Sequence, residues 1–457
     1  MKDKRIVVAL KYFKGELNPF DGAALECALE AGAKEVVAVT MAPKTALSAF
    51  QSLTRLGVKC VMVSDPLYAG SDTQATSVIL AQAIKRLQPD ILFCGRQSVD
   101  GDTAQVPPML AQRLDFDIYP KVAAFDGKNF VLRGGESVTA NTGAIYTFEK
   151  IRTLRFPSIF SRMGDVEIWD NSVLCVPIEK CGLVGSTTRV IKSYESSVGR
   201  RYCTFVDVEK LDGLIKDGLN KTREVKELLV GEKLPKVYYV GDVESVAKSV
   251  GENAIPLSVK EKTPEELARE LLEANAKTVL WEDREDYKIL AAKVAVLMNA
   301  GLCADCISFR VEKGNLIMTR PAQGGNVTAD IVCTGSVAFA TVRTVKKGGS
   351  DLVFSVGKGA VLYLDKIKAL AEKYGAEVCA SRIVVDSGKM PYETQVGLTG
   401  KTVSPKVYVA FGISGAVQHT CAISGAGTVI AVNVDKNERI FDYADYGIVE
   451  DINNLPL

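Results

Sequence analysis

The sequence has almost no histidine: its 457 residues contain a single one, His419. Sites built from several histidines are therefore excluded, and any Ser-His-Asp or Cys-His chemistry would have to use that one side chain. Neither sign of charge is in excess. The sequence has 56 Lys and Arg and 55 Asp and Glu, which gives a formal net charge of +1. This balance argues against a nucleic-acid surface, which needs a basic face, and against a polybasic membrane anchor.

Long apolar runs are missing as well. The run at 6–10 is too short for a signal peptide, and no run approaches the roughly 20 residues of a membrane span. The 11 cysteines are odd in number and lie in apolar segments such as 91–94, which is typical of reduced, buried thiols. We therefore expect a cytoplasmic protein without membrane insertion, a metal site or a nucleic-acid partner.

The sequence does contain alternating short Val/Ile/Leu-rich runs and amphipathic stretches, and its length allows about two or three domains. Such alternation predicts parallel sheets covered by helices on both faces. In the first half we predict strands over 5–10, 35–40, 60–64 and 90–94 and helices over 21–30, 45–56 and 71–87.

The alternation restarts twice in the second half. There we predict strands over 236–240, 278–281, 352–356, 407–411 and 428–432 and helices over 264–274, 287–299 and 361–374. Residues 187–236 lose the pattern and include the charge-rich stretch 221–233. We interpret that region as an arm and a linker.

The stretch VYVAFGISGAVQH (407–419) is the most informative segment for function. A buried strand leads into a Gly-x-Ser-Gly-Ala turn that opens a helix. Small residues there let a phosphate approach backbone N–H groups, and a helix N-terminus favours negative charge. A tight turn without a ligand is the alternative, and His419 is either a buried core residue or part of the site.

Other segments are weaker candidates. CASR (379–382) ends a strand, and QVGLTG (395–400) has the composition of a binding loop, although an arginine such as Arg382 is more often an ordinary salt-bridged surface residue. NPFD (18–21) and DGDTAQ (100–105) lie at helix starts, where simple capping is the alternative to nucleotide binding. The C-x-x-C at 303–306 lies in a strand-like stretch without a second pair, which disfavours zinc or thioredoxin-like chemistry.

Taken together, these segments resemble the electron-transfer flavoprotein family. Residues 352–451 are similar to the FAD domain of its α subunit through the motifs ASR (380–382), QVGLTG, GISGAVQH (412–419), AVN (431–433) and ADYGIVED (444–451). The N-terminal part is similar to its β subunit through VALK (8–11), NPFD, GRQSVDGDTAQ (95–105) and LRF (154–156). The chain thus resembles a fusion with the β-like half first.

The resemblance implies an α/β fold with two doubly wound, adenine nucleotide α-hydrolase-like domains and a C-terminal FAD-binding α/β domain. The implied boundaries are a β-like domain at 1–205, a linker or arm at 206–235, an α-like N-terminal domain at 236–345 and the FAD-binding domain at 346–457.

The resemblance also implies the FAD contacts. Ser414, Gly415 and Ala416 would place N–H groups on the pyrophosphate. Lys358 stands where the family usually has arginine, so it would keep a charge but lose bidentate geometry. The complete implied set is Lys358, Ser381, Arg382, Gln395, Val396, Gly397, Leu398, Thr399, Ser414, Gly415, Ala416, Val417, Gln418, His419, Asn433, Asp451 and Ile452.

Several members of this set have implied roles. Ser381 and Arg382 would lie beside the isoalloxazine, with Thr399 near its N5. His419 would lie near the N1/O2 edge, where a positive or donating group stabilises the reduced flavin. The adenosine end would be held by Asn433 and Asp451.

The β-like half implies a second nucleotide site. Simple members of the family hold AMP there, whereas bifurcating members hold a second FAD and meet NADH. Segments 71–77 and 100–106 resemble the bifurcating type, whereas Pro107 and the segment 281–286 depart from it, so a second FAD, AMP and an empty site all stay open. The implied residues are Ala9, Asn18, Pro19, Phe20, Asp21, Met41, Asp100, Asp102, Thr103, Ala104 and Gln105.

The implied function is that of an FAD-containing carrier between a flavin dehydrogenase of the acyl-CoA dehydrogenase type and another donor or acceptor, with NADH-linked bifurcation as an extension. Ile159 and Phe160 are the implied apolar anchors of a partner loop. Lys358, where the family usually has arginine, and Leu398, where it usually has glutamine, support an alternative, an adenine-nucleotide-binding regulatory module without redox activity. An autonomous NADH oxidoreductase is disfavoured, because no G-x-G-x-x-G with a downstream acidic residue is found.

Overall fold

A computed structural model of the protein describes residues 1–195, 200–221, 231–325, 327–343, 350–397 and 400–455. These residues divide into two compact units. The first unit comprises Met1–Ser193, Gly231–Gln323 and Ala329–Arg343, and the second draws its described residues from Tyr194–Val230, Gly324–Thr328 and Thr344–Leu457.

The first unit begins with a nine-stranded sheet in the order β11-β5-β4-β1-β6-β10-β7-β8-β9, parallel from β11 to β7 and antiparallel beyond. Its strands, with the separate hairpin β2-β3, are β1 (Arg5–Leu10), β2 (Tyr12–Phe13), β3 (Glu16–Leu17), β4 (Glu35–Met41), β5 (Lys59–Val63), β6 (Ile91–Gly95), β7 (Asp117–Phe125), β8 (Asn129–Leu132), β9 (Ser137–Thr139), β10 (Ala144–Phe148) and β11 (Val166–Trp169). The helices are α1 (Pro19–Glu30), α2 (Leu47–Gln51), α3 (Thr73–Leu87), α4 (Val106–Leu114), α5 (Asn171–Leu174) and α6 (Gly182–Gly185). Ile6, Val7 and Val8 are fully buried because helices cover both faces of β1.

The chain continues through β12 (Thr188–Glu195), β13 (Thr204–Phe205) and α7 (Leu211–Asn220). A second sheet of the first unit, with all its pairs parallel, has the order β15-β14-β16-β21-β17. The elements of this region are β14 (Leu234–Val240), α8 (Glu244–Val250), β15 (Gly251–Pro256), α9 (Pro264–Glu273), β16 (Thr278–Glu282), α10 (Glu285–Met298), β17 (Gly301–Cys306), β18 (Ser308–Glu312), β19 (Asn315–Ala322), β20 (Val327–Cys333) and β21 (Ala338–Val342).

The second unit contains a six-stranded parallel sheet in the order β13-β26-β25-β24-β22-β23. Its remaining elements are β22 (Leu352–Val356), α11 (Leu364–Tyr374), β23 (Glu377–Ala380), α12 (Arg382–Asp386), β24 (Val407–Phe411), α13 (Val417–Thr420), β25 (Thr428–Asn433) and β26 (Tyr446–Val449). Because all the strands are parallel, their carboxyl ends gather at one edge.

The predicted α/β class is confirmed, and the strands predicted over 5–10, 352–356 and 407–411 have the observed bounds. The helix predicted over 45–56 is wrong in part, because only α2 is α-helical and short 3-10 turns flank it. No helix in the described ranges is both long enough and apolar enough to cross a membrane.

The region predicted as an arm and linker contains regular structure. Strand β13 pairs with β26, and α7 buries Leu211 and Ile215 in the core of the second unit. The spacing of Leu211, Leu214, Ile215 and Leu219 could have indicated this amphipathic helix. Residues 222–230, in the charge-rich part of that prediction, lie outside the described residues, and the bounds of the four predicted regions stay predictions.

Candidate functional site

The glycine-rich turn after β24 lies at the carboxyl edge of its sheet, where parallel α/β sheets bind ligands. Gly412 and Gly415 have φ angles of 57° and 84°, which are left-handed. A Cβ atom on Gly415 would lie 2.1 Å from the backbone nitrogen of Ile440, and one on Gly412 would lie 2.5 Å from that of Ala360. The turn therefore needs glycine at both positions, since its backbone contacts two neighbouring loops.

Three amides of this turn are available to an anion. Ser414 and Ala416 are exposed, and the N–H groups of Ser414, Gly415 and Ala416 donate no hydrogen bond to any described residue. Consecutive free N–H groups in such a turn form an anion-binding concavity. This geometry fits the pyrophosphate contact that the resemblance implies for these residues.

The helix that follows the turn is confirmed only as the single turn α13. Such a short helix has a small dipole, so its N-terminus adds little to anion binding. The free amides of the preceding turn are therefore the main source of positive potential from the backbone.

Lys358 follows the neighbouring strand β22 and is exposed. The N–H of Gly357 donates to the carbonyl of Phe411 over 2.8 Å, and the N–H of Gly359 donates to that of Gly412 over 3.1 Å. A Cβ on Gly357 would lie 2.1 Å from the Gly412 oxygen. The segment that carries Lys358 is thus fixed against the glycine turn, with a positive charge beside it.

The predicted pair Ser381 and Arg382 follows β23. The N–H of Ser381 donates to Val356 over 2.9 Å, which sets the start of α12. Nε of Arg382 donates to the Asp386 carboxylate over 3.0 Å, and the side chain is 37% exposed. The salt-bridged alternative for Arg382 is therefore observed, and its position beside a flavin stays a prediction.

The loop at 395–397 reaches the same edge. Val396 donates to the carbonyl of Ala380 over 2.9 Å, and a Cβ on Gly397 would lie 3.1 Å from the Gln418 oxygen. Gln395 and Val396 are both buried. The structure thus brings the ends of β23 and β24 and this loop together, whereas Leu398 and Thr399 lie outside the described residues.

The side chains implied to hold adenosine make hydrogen bonds or core contacts within the protein. Asn433 donates to the Ile413 carbonyl over 3.1 Å and accepts from Asp435, so its side chain fixes the glycine turn. Asp451 accepts from the N–H of Asn453, and the Ile452 side chain is buried in the core. Direct nucleotide contacts of Asn433, Asp451 and Ile452 stay predictions.

The start of α13 alternates in exposure. Val417 is buried, Gln418 is exposed and His419 is buried. Nε2 of His419 lies 2.8 Å from the Tyr408 hydroxyl, and Nδ1 has no hydrogen-bond partner among the described residues. Burial lowers the pKa of His419 to about 4, so the imidazole is neutral at neutral pH, and its implied role as a positive or donating group beside the flavin stays a prediction.

A cavity of about 910 Å³ lies in the first unit, at the carboxyl ends of β1, β4, β5 and β6. Of the residues implied for the second nucleotide, it is lined by Ala9, Asn18, Asp21, Met41, Thr103, Ala104 and Gln105, whereas Pro19, Phe20, Asp100 and Asp102 do not line it. Asp65, Ser71, Asp72, Thr73 and Thr76 form a polar wall of this cavity. The sequence indicated segment 71–77 through its likeness to the bifurcating type, whereas Asp65 was missed.

Asn18, at the start of α1, contributes a polar side chain to the lining of this cavity. Nδ2 of Asn18 donates to the Gln97 carbonyl over 2.9 Å, whereas Oδ1 is buried without a partner among the described residues. Among the described residues that line the cavity, Asn18 thus has a buried acceptor still to be satisfied.

Asp21 connects two strand ends. Its carboxylate accepts from the backbone N–H of Lys11 over 2.7 Å and of Gly95 over 3.0 Å. Burial raises the pKa of Asp21 to about 7, although these donors oppose the shift. Asp21 therefore fixes the cavity floor by joining the ends of β1 and β6.

The loop at 100–105 is braced from within the first unit. The Asp100 carboxylate accepts from Nζ of Lys11 over 2.7 Å, and the Gln105 side chain is buried and hydrogen-bonded. Asp102 and Ala104 have φ angles of 52° and 54°, a conformation that strains residues other than glycine. Thr103, Ala104 and Gln105 of this loop line the cavity, whereas Asp100 and Asp102 belong to the loop but do not line the cavity.

The implied partner loop is strongly exposed. Ile159 and Phe160 are 85% and 87% exposed, and the prediction missed Phe156 and Met163 beside them, at 96% and 58%. Arg55 donates to the backbone carbonyls at 158 and 161, so the loop is held while its apolar side chains face outward. Such a concentrated apolar surface is typical of an interaction site.

Metal chemistry has no candidate site in the described ranges, where no group of three or more His, Cys, Asp or Glu side chains could hold an ion.

Two family models match this chain. The one described as the electron transfer flavoprotein FAD-binding domain matches residues 348–424. The one described as the electron transfer flavoprotein domain matches residues 6–141 and 258–346. The same domain thus occurs in two segments of one chain, in agreement with the predicted fusion.

Curated relatives agree with these matches. An electron transfer flavoprotein subunit alpha of Thermoanaerobacterium thermosaccharolyticum is 35% identical over 36% of this chain and 63% of its own length. A protein FixB of Clostridium saccharobutylicum is 35% identical over 36% and 64%. The chain therefore spans slightly less than two thirds of the length of these relatives. An acryloyl-CoA reductase electron transfer subunit beta of Anaerotignum propionicum is 31% identical over 49% of this chain and 84% of its own.

The fold, the glycine turn and the matched domain define the class: an α/β protein with an FAD-binding domain of the electron transfer flavoprotein type. Within that class, the chain belongs to the electron transfer flavoprotein family.

Proposed function

We propose that this chain is a single-chain electron carrier that holds FAD in its C-terminal unit and exchanges electrons with a flavin-dependent dehydrogenase. The strongest support is the turn at 412–416, where three amides without hydrogen-bond partners among the described residues lie within the matched FAD-binding domain. FAD supplies the redox chemistry when bound. The residues of the chain bind the cofactor, orient it and set how readily it is reduced.

The glycine turn and Lys358 hold the negatively charged part of the cofactor. In this proposal the amides of Ser414, Gly415 and Ala416 donate to the pyrophosphate, and each charge-assisted hydrogen bond contributes about 1.5–3 kcal/mol. Lys358 adds a point charge without the paired donors of an arginine.

The residues at the ends of β23 and β24 orient the flavin ring. Ser381, Arg382 and Thr399 lie beside it in this proposal, and His419 donates a hydrogen bond to its pyrimidine edge. The buried position of His419 and its unpartnered Nδ1 among the described residues support this assignment.

The loop with Phe156, Ile159, Phe160 and Met163 is the proposed docking site for the dehydrogenase. Apolar anchors of this kind contribute most of the binding energy at protein interfaces. The relative from Anaerotignum propionicum is named as an electron transfer subunit of an acryloyl-CoA reductase, which supports a partner that acts on acyl-CoA compounds.

The cavity of the first unit holds a second nucleotide in this proposal. Its volume of about 910 Å³ lies near the upper end of the roughly 300–1,000 Å³ common for ligand sites, which favours FAD over AMP. A second FAD would allow bifurcation with NADH, whereas AMP would leave a simple carrier. A cytoplasmic location is part of the proposal and is supported by the free thiols, because disulfides are rare in reducing compartments.

The test is to purify the full chain, record its visible spectrum and count the FAD and AMP released on denaturation. One FAD with one AMP supports a simple carrier, and two FAD with reduction by NADH support bifurcation. A colourless protein that binds AMP but cannot be reconstituted with FAD would refute the carrier and favour the regulatory module.

Two variants assign the nucleotides to their sites. Asn18→Ala removes the buried acceptor of the first cavity, and Asn18 makes no side-chain cap to α1, so we expect loss of the second nucleotide only. Gly415→Ala disturbs the C-terminal turn, so we expect loss of that FAD only. If each variant lost both nucleotides, the two-site assignment would be wrong.

A further inference from the structure

The single histidine is hydrogen-bonded to a tyrosine that comes from the strand leading into its own turn. Tyr408 in β24 is fully buried and its hydroxyl lies 2.8 Å from Nε2 of His419. The ring planes are tilted by 55° with centroids 6.2 Å apart, so the hydrogen bond and not stacking defines the pair. Both residues belong to the second unit.

The direction of this hydrogen bond follows from the surroundings of the hydroxyl. Ser355 lowers the pKa of Tyr408, as a hydroxyl that donates to the phenol oxygen does, although its Oγ makes no hydrogen bond of good geometry to any described residue. With a donor facing the phenol oxygen, a donating Nε2 would leave the buried O–H of Tyr408 without an acceptor among the described residues, at a cost of about 1–3 kcal/mol. The tyrosine O–H therefore donates, and Nε2 of His419 accepts.

A neutral imidazole that accepts at Nε2 carries its proton on Nδ1. The backbone of Val396 near the ring supports the same tautomer. It raises the pKa of His419, as a carbonyl does when it faces a ring N–H. Nδ1 nevertheless lacks a hydrogen bond of good geometry within the described part of the chain. The Nδ1–H is thus a buried, neutral donor that faces the backbone of Val396 at the ligand edge of the sheet.

We propose that Tyr408 is a positioning residue that fixes His419 as the Nδ1–H tautomer, so that the site presents the flavin with a neutral hydrogen-bond donor. The tautomer concerns the protein alone, and its effect on flavin rests on the proposed function. Tyr408 contacts no ligand in this account and acts only through His419.

The tautomer can be measured directly because the chain has one histidine. With ¹⁵N-labelled histidine in the full chain, both ring nitrogens give assignable NMR signals at neutral pH. We expect a protonated Nδ1 and an unprotonated Nε2 in the wild type, with and without flavin. A protonated Nε2 in the wild type would overturn the proposal without any variant.

Tyr408→Phe removes the donor while keeping the aromatic ring, and Ser355→Ala removes a neighbouring buried hydroxyl as the control. We expect a mixture of tautomers in the first variant and the wild-type tautomer in the second. An unchanged single tautomer in Tyr408→Phe would refute the positioning role. If that variant does not fold, the wild-type spectrum still decides the tautomer.

The midpoint potential of bound FAD tests the consequence. We expect Tyr408→Phe to weaken the preference for reduced over oxidised flavin by about tenfold, the equivalent of one hydrogen bond, which is about 30 mV for two electrons. Ser355→Ala should leave the potential unchanged. If FAD binds and Tyr408→Phe also leaves the midpoint potential unchanged, the positioning role of Tyr408 fails while the proposed carrier function stands. If no FAD binds, the carrier function fails while the tautomer result stands.

Discussion

Replacing Gly415 by alanine tests whether the close approach of two loops forms the FAD site. The new Cβ would lie 2.1 Å from the nitrogen of Ile440 and 2.5 Å from the carbonyl carbon of Arg439. Both neighbours are backbone atoms, so no side chain can rotate away. The turn itself would have to move by about 1 Å, because ordinary contacts to Cβ begin near 3.4 Å.

Two costs add at this position. An L-residue at φ 84° costs about 1–2 kcal/mol, and overpacking against rigid atoms costs about 1–3 kcal/mol more. A shift of the turn also displaces the amides of Ser414 and Ala416 from a pyrophosphate. Losing one charge-assisted hydrogen bond of about 1.5–3 kcal/mol predicts FAD binding weaker by at least about tenfold.

The assay is titration of the cofactor-free full chain with FAD, followed by flavin fluorescence, together with urea unfolding. Gly375→Ala is the matched control, since Gly375 has φ 65° at the end of α11 and a Cβ there meets no atom within 4 Å. The control should lose about 1 kcal/mol of stability and keep wild-type affinity for FAD. Equal FAD affinity and equal unfolding midpoints in the two variants would refute the reasoning.

Three further predictions follow from the same structure. The pKa of Asp21 is raised to about 7 in the fold, so the folded state binds more protons than the unfolded state between about pH 4 and 7. The free energy of unfolding should therefore fall as pH rises through that range. Asp21→Asn should remove this pH dependence from urea unfolding curves. Ile159→Ser and Phe160→Ser should change stability by less than about 0.5 kcal/mol yet slow electron exchange with the dehydrogenase, whereas Ile178→Ser, another exposed apolar change, should not. Lys358→Met should weaken FAD binding in a salt-dependent manner and Lys358→Arg should preserve it; equal affinities in high and low salt would contradict the charge role.

Local patterns predicted the α/β fold well. Continuous apolar runs such as those of β1, β22 and β24 determine buried parallel strands, because each residue there must be apolar on both faces of the sheet. The helix at 211–220 was missed because the charged residues around it obscured a short apolar stripe.

The sequence by itself determined the candidate segments. Local chemistry, namely backbone conformation and small side chains, indicated the glycine turn after β24. The resemblance to the family indicated the NPFD helix start and the loop with Ile159 and Phe160. For the same reason the single histidine could be located near the site from sequence.

Only the tertiary structure decided which polar groups there remain free. Asn433 and the Arg382 guanidinium bind other residues of the chain, the amides of 414–416 donate to no described residue, and His419 is neutral because burial lowers its pKa. The physical reason is that a hydrogen bond or a pKa depends on atoms brought together from distant positions, such as β22 and β24. A one-dimensional pattern specifies the donors and acceptors, and the fold specifies their partners.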